Sequence, residues 1–325
     1  VPLPSPVPRA PPQKRGFSFC MKTPVVSRIS RLLSIALLVF ARIGSSQESV
    51  TFTAYNVHNY EIEEAPKRPI KPNSSIEALV HSLAQIKPDI LGICEMGSQA
   101  ALKDLQSRLH DAGIPLDHSE WINGPDPDRH LALLSKFPLI AKVDLSQREL
   151  LIGKQTLAVR RGFLDVTVQI TPSYRLRLIG AHLKSKLPVP EDEAVVRRHE
   201  AANLREHIDQ VLEQSPETNL LVYGDMNDTR ESPPIRDIIR FRGKNALFDL
   251  PATDPLGDRW THYWKTADTY ARIDYLFANL ALLPEIPEKR ARILRDDQWL
   301  LASDHRPVSV TIIPVETAAK RSSKR

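Results

Sequence analysis

Seven polar residues stand where apolar runs of the chain stop. Asn56 follows VTFTAY, Glu95 follows DILGIC, His182 follows LRLIGA, Asp225 and Asn227 close LLVYGDMN, and Asp304-His305 precede VSVTII. Strand ends are rigid yet partly open to solvent, so side chains placed there converge on one cleft at separations a sheet fixes. The set holds three carboxylates, two amides and two imidazoles, without a serine elbow or a Gly-rich phosphate loop. Oxygen donors of this kind suit a hard cation such as Mg2+, which keeps its waters and takes one or two carboxylates from a protein. Such an ion beside two histidines suits attack of water on a phosphoester, the metal offsetting oxyanion charge and histidine serving as acid, base or phosphate clamp.

Each residue alone also has a plainer meaning. Asn56 reads as a turn residue that accepts left-handed geometry. Glu95 is stronger, because a carboxylate directly after a buried apolar run costs several kcal/mol if left unpaired and so needs a metal or a basic partner. His182 reads equally as a satisfied buried histidine. The run Gly224-Asp225-Met226-Asn227-Asp228 reads as a polar turn, Arg272-Ile273-Asp274 as a surface ion pair at a strand start, and Cys94 as a small core residue. Their combination and order are what depart from chance.

The elements that must position them alternate between two periods. Residues 50–55 alternate as a strand, whereas 74–86 place Ile76, Leu79, Val80, Leu83 and Ile86 at helical spacing behind an Asn73-Ser74 cap, with Pro88 as the stop. Residues 89–94 read as a strand buried on both faces, and 98–109 as a second helix. Further strands are expected at 131–134, 162–170, 176–181, 220–223, 273–277 and 308–313, and a long amphipathic helix at 193–212. Pairing 162–170 with 176–181 as a hairpin, the pattern predicts an α/β sandwich of two sheets with helices outside. Between residues 50 and 314 neither a linker nor a repeat appears, so one domain is expected over 47–319.

With 42% hydrophobic and 26% charged residues, the 325-residue chain is neither collagenous, wholly disordered nor polytopic in a membrane. Two cysteines, Cys20 and Cys94, exclude a disulfide scaffold and a cysteine-built zinc site. The formal charge of +5 belongs to the ends: residues 1–46 carry seven basic side chains and no acid, and 320–325 carry four more, leaving 33 basic against 39 acidic residues, a balance near −6. A local basic patch at Arg160, Arg161, Lys184 and Lys186 remains available to phosphates. Residues 1–20 read as a disordered Pro-rich tail or a misassigned start. Residues 21–46 read as a signal peptide: Lys22, Arg28 and Arg31 precede the apolar run 32–41 and small residues close the segment, with cleavage expected after Ser46. That run is about half of the ~20 residues a membrane-spanning helix needs. An exported chain, periplasmic or secreted, without a stable membrane span when mature is therefore expected, and 320–325 read as a solvated basic tail.

The segments TAYNVHN, KPDILGICEM, LALLSKFPL, LRLIGAHLKSK, NLLVYGDMND, ARIDYLFAN and ASDHRPVSV, in this order, resemble the endonuclease/exonuclease/phosphatase family over nearly all of residues 50–313. GDMND followed by RIDY and SDHRPV is the specific part. The resemblance implies a four-layered α/β sandwich, two mixed β-sheets packed face to face with helices outside. It further implies that Glu95 is the principal Mg2+ ligand, with Mn2+ as a substitute, and that Asn56 and Asp304 lie close to the metal. Asp225 and Asn227 would orient the attacking water and the phosphate, His305 would be the central catalytic histidine, and Asp274 would position it. His182 matches the second histidine of the deoxyribonuclease and sphingomyelinase branches, where abasic-site endonucleases carry tyrosine. Asp225 and His305 both stay open as the base. The expected function is an exported Mg2+-dependent phosphoesterase acting on a phosphodiester in line. Nucleic acid, phospholipid headgroup and sugar phosphate are open as substrates, and no protein partner is evident. The alternative is a catalytically lapsed binding module of the same fold that recognises phosphorylated ligands.

Overall fold

In chain order the first half holds β1 (Val50–Tyr60), α1 (Asn73–Ile86), β2 (Ile90–Met96), α2 (Gln99–Asp111), β3 (His118–Trp121), β4 (His130–Ser135) and β5 (Leu139–Leu145). A small hairpin of β6 (Glu149–Ile152) and β7 (Gln155–Ala158) follows, then β8 (Phe163–Thr171), β9 (Tyr174–His182), α3 (Glu193–Gln214) and β10 (Leu220–Asp225). The last third comprises α4 (Pro233–Ile239), β11 (Leu247–Asp249), β12 (Ala252–Thr253), β13 (His262–Trp264), β14 (Thr269–Ala271), β15 (Asp274–Asn279), β16 (Ala291–Ile293), α5 (Trp299–Ala302) and β17 (Val308–Ile312). This computed structural model describes residues 48–64, 68–240 and 242–315, so the Pro-rich start, the expected signal peptide and the basic tail lie outside the described residues.

Two mixed sheets carry the fold. The first has the order β12-β16-β17-β1-β2-β4-β3 and the second β11-β15-β10-β9-β8-β5. At the heart of each is one parallel pair, β1 with β2 and β9 with β10, joined through α1 and α3 respectively and flanked by antiparallel neighbours. Period-two alternation sorts the side chains between faces. In β2, Ile90 and Cys94 enter the core between the sheets while Leu91 and Ile93 turn to the helices. Phe52, Leu133, Val166, Leu178, Leu221 and Val310 fill that central layer. Each such side chain contributes about 1.5–3 kcal/mol by leaving water. On the outer faces Leu79, Leu83, Leu102 and Leu105 of α1 and α2 cover the first sheet, and Leu204, Ile208, Ile235 and Ile238 of α3 and α4 cover the second. The four-layered sandwich is thus the observed architecture.

Local boundaries follow from caps and breakers. Ser98 caps α2, its Oγ accepting from the Ala101 N–H at 3.1 Å, and Asp192 caps α3 through the Ala194 N–H at 2.9 Å. The expected Asn73-Ser74 cap of α1 is corrected: Pro72 is the N-cap, and Asn73, already helical, donates its amide to Glu77 Oε1 at 2.6 Å. Pro72 has the non-helical geometry of an N-cap, φ −56° and ψ 139°, and its carbonyl accepts the Ser75 and Ile76 N–H groups at 2.9 and 3.1 Å. Lys87 ends α1 in the left-handed conformation, immediately before Pro88. Among the described residues no helix is long and apolar enough to cross a membrane.

Candidate active site

The carboxyl ends of both parallel pairs open on the same cleft. In the second sheet, β-pairing sets Asp225 beside His182 on one side and beside Asp274 on the other. Cross-strand neighbours in register present side chains about 4.5–5.5 Å apart on one face, so three titratable groups are lined up by backbone pairing alone. Gly224 permits this close approach: its φ is +134°, and a Cβ there would stand 1.9 Å from the Ala181 carbonyl oxygen. In the first sheet the β1–β2 register runs from Phe52 to Asn56 and breaks before Tyr60, and the β2–β4 register breaks between Ile93 and Met96. Glu95 occupies this irregularity with φ 63°. The expectation that these residues follow their strands is refined accordingly, since Glu95, His182 and Asp225 lie within the last two residues of theirs and Asn56 lies at the break inside β1.

Distances connect the sheets. Asn56 Nδ2 donates to Asp225 Oδ2 at 3.0 Å, and the Asn227 N–H donates to Asp225 Oδ1 at 2.9 Å. His182 Nε2 and His305 Nε2 stand 3.5 Å and 3.7 Å from Asp225 Oδ2. Asp274 Oδ2 pairs with His305 Nδ1 at 2.8 Å. Ser303 ties the last loop to β1, its Oγ donating to the Asn56 carbonyl at 2.8 Å and accepting the His305 N–H at 3.0 Å. The β13–β14 hairpin supplies a further wall, with His262 bridging His305 through the backbone and the Tyr263 N–H donating to the Asp304 carbonyl at 3.0 Å. The resulting cleft of about 450 Å3 is lined by Glu95, His182, Asp225, Asn227, Asp304 and His305. Asn56 and Asp274 stand behind it, supporting Asp225 and His305. A second groove of about 540 Å3, between residues 167–177 and 215–219, contains none of these residues.

Burial pushes the Asp225 carboxyl above the usual carboxylate range; the charge of His305 opposes this push and that of Asp274 adds to it. Burial works against protonation of His305, but Asp274 and Asp225 outweigh it and raise the pKa above the ordinary histidine value. Burial, followed by the charges of Arg161, Arg129 and His305, holds His182 well below that value. The two histidines are thereby pushed in opposite directions, His305 toward its protonated form and His182 toward its neutral one. Burial also opposes ionisation of Asp304, yet His262, His305 and His58 outweigh it and hold its pKa below the usual range.

Residues that sequence reasoning missed line the same cleft: His58, Arg68, Arg129, His262 and Trp264. Arg129 Nε stands 3.4 Å from Glu95 Oε2, the basic partner a buried-strand carboxylate calls for. Its sequence sign is a charge immediately before the strand HLALLS; His58 and His262 have none. The expected basic patch holds in part. Arg161 and Lys186 line the cleft, but Lys184 Nζ is spent on the carbonyls of Ser185 and Leu187 at 2.8 and 2.6 Å, and Arg160 reaches Asp126 at 3.7 Å. Lys184 turns inward because its aliphatic stem is buried and its ammonium must then find acceptors locally.

The donor chemistry fits a divalent cation. Glu95 Oε2 is buried without a hydrogen-bond partner among the described residues, and the acidic oxygens of Asp225 and Asp304 face the same space.

Comparison with known proteins agrees. No curated protein sequence matches this chain. Among solved structures, sphingomyelinase C from Streptomyces griseocarneus aligns with a TM-score of 0.58 at 15% identity, over 82% of this chain and 99% of that one. Beta toxin from Staphylococcus aureus, a double mutant solved with bound magnesium ions, aligns with a TM-score of 0.57 at 12% identity, over 81% and 99%. The human Nocturnin catalytic domain with a bound sulfate anion aligns with a TM-score of 0.58 at 14% identity, over 81% and 93%. These likenesses establish the fold. Residues 53–305 match the profile of the Endonuclease/Exonuclease/phosphatase family, to which the chain belongs as a metal-dependent phosphoester hydrolase.

Proposed function

We propose that this hydrolase is an exported Mg2+-dependent phosphodiesterase that cleaves its substrate by in-line attack of an activated water. The observation that carries the reading is the position of Asp225, buried between the Nε2 atoms of His182 and His305, with Asn56 and Asn227 holding both of its oxygens. Glu95 would hold the ion through Oε2, which makes no hydrogen bond among the described residues, with Asn56 and Asp304 nearby. Mg2+ would offset the charge that develops on the phosphoryl oxygens; its presence in the similar beta toxin supports this choice of ion over others.

The chain's own groups divide the remaining work. Asp225 and His305 form the proton-handling pair: water loses its proton to this pair as its oxygen bonds to phosphorus, and the departing ester oxygen takes a proton as its bond to phosphorus breaks. Asp274 keeps Nδ1 of His305 engaged, so that Nε2 faces the cleft. Neutral His182 is suited to donating a hydrogen bond to a phosphoryl oxygen. Asn227 gives one amide hydrogen to the Leu183 carbonyl at 2.9 Å and has a second for the phosphate. Export rests on residues 21–46 and is checked by N-terminal sequencing of protein from the native host; an intact start retained in the cytoplasm overturns it. The chemistry is tested with bis(4-nitrophenyl) phosphate. Turnover with Mg2+, loss in chelator and recovery on adding the ion are expected, while unchanged turnover in chelator overturns the reading.

A further inference from the structure

The wall of the cleft beside Glu95 carries three arginines that the hydrolytic chemistry does not use. Arg161 is only 5% exposed, and its Nη1 is buried without a hydrogen-bond partner among the described residues. Arg68 Nε is buried and unpartnered in the same sense. Arg129 Nε reaches Asn59 Oδ1 at 3.0 Å and stands 3.4 Å from Glu95 Oε2. All three line the cleft together with His182 and Glu95. They lie within electrical reach of one another: after burial, Arg129 is the largest influence lowering the pKa of Arg68, and Arg161 and Arg129 are the largest lowering that of His182.

Arg161 Nε forms a buried ion pair with Asp126 Oδ2 at 3.2 Å without hydrogen-bond geometry, and its charge also acts on buried Glu200, but Nη1 makes no hydrogen bond among the described residues. A guanidinium fork placed for structure closes on its carboxylate with parallel bonds. Leaving a buried charged donor unmade costs about 1–3 kcal/mol or more, so such an N–H in a cleft wall marks a place where a ligand completes the bond. The planar forks select a tetrahedral oxyanion or a carboxylate. Charge then favours phosphate. A phosphodiester brings one negative charge, which the ion that Glu95 would hold meets, whereas additional guanidiniums on one wall match a dianion.

We propose that Arg68, Arg129 and Arg161 form a subsite for a second phosphoryl group of the substrate, so that the molecule cleaved carries a phosphomonoester close to the scissile ester. This rests on the phosphodiesterase reading above. A phosphorylated nucleotide and a phosphorylated sugar share the chemistry required.

Calorimetric titration of inorganic phosphate into the purified protein in chelator tests the subsite without turnover, because the ion-binding side of the cleft is then acidic and does not attract the anion. Saturable binding is expected, weakened at least tenfold in Arg68→Met and in Arg161→Met. Competition by adenosine 3′,5′-bisphosphate or by fructose 1,6-bisphosphate then separates the two sources. Absence of saturable binding, or affinities within twofold of the parent in the variants, overturns the proposal. Arg161 is buried, so if its variant fails to fold by circular dichroism, the half-buried Arg68→Met decides alone. Phosphate binding without any diesterase turnover keeps the subsite and defeats the hydrolytic reading; turnover without phosphate binding does the reverse.

Discussion

Glu95 holds a left-handed backbone conformation, φ 63°, and Asn227 another, φ 52°. For a residue with a Cβ this costs about 1–2 kcal/mol each, a strain tolerated where surrounding structure over-determines it. At Glu95 the strain aims a carboxylate out of a strand buried among Ile93, Cys94 and Met96. Glu95→Gln keeps the shape and removes the charge. Its half-saturating Mg2+ concentration is expected to rise at least tenfold, and the thermal shift that Mg2+ gives the parent protein, about 2.7 kcal/mol at a hundredfold excess over Kd, should shrink accordingly. His305→Ala should lower kcat by ~10²- to 10⁴-fold, the range of a general acid or base, with a smaller change in KM. Asp274→Asn reports on pH. Burial lowers the His305 pKa, but Asp274 is the largest influence raising it, so the native imidazolium persists above the ordinary histidine range and is lost only as pH rises through the raised value. Without the carboxylate, the alkaline limb of kcat/KM should move to lower pH. A limb that stays put would place the limiting proton elsewhere.

One aromatic residue packs closely against both sheets in the layer between them. Tyr223 lies between them, edge-on to Phe52 with ring centroids 4.8 Å apart, and a Cβ on Gly92 would stand 2.2 Å from its ring, one on Gly180 2.7 Å. These glycines precede Glu95 and His182 by three and two residues, as Tyr223 precedes Asp225 by two. Gly92→Ala is therefore expected to destabilise the fold by about 1–3 kcal/mol through overpacking, read by urea denaturation, and to lower kcat/KM by widening the gap between Glu95 and Asp225. This arrangement explains what the sequence could reveal. Runs such as DILGIC and LRLIGA announce buried strands because both faces are covered, and the polar residue ending each was legible against that background. The β13–β14 hairpin was not. Its strands are three residues each, too short for any period, and half-exposed Trp264 gives no core pattern. Arg68 and Arg129 escaped for a related reason, since isolated charges in loops read as solvated until the fold brings them together.

Charge acts at the scale of the whole molecule. Outside its basic ends the chain has a balance near −6, and Arg68, Arg129, Arg161 and Lys186 gather on the wall of the cleft. Even there, Asp126 stands against Arg161 and Asp228 against Lys186, at 3.2 and 3.6 Å, which limits how far the potential extends. A protein that grips long duplex DNA neutralises several phosphates along its surface, and log affinity then falls with log salt by about 0.9 per phosphate. A cleft of about 450 Å3 with one basic wall has room for one or two. The expected salt slope is correspondingly shallow, of magnitude about one to two. Short phosphoesters should be better substrates than plasmid DNA by kcat/KM across the salt range, because lowering the salt strengthens so few phosphate contacts only slightly. Michaelis constants for plasmid and for a short phosphodiester, measured across a salt series, decide the matter. A slope of several units with plasmid as the better substrate would show that basic residues outside the cleft bind the duplex backbone, and would restore a secreted nuclease as the specific reading.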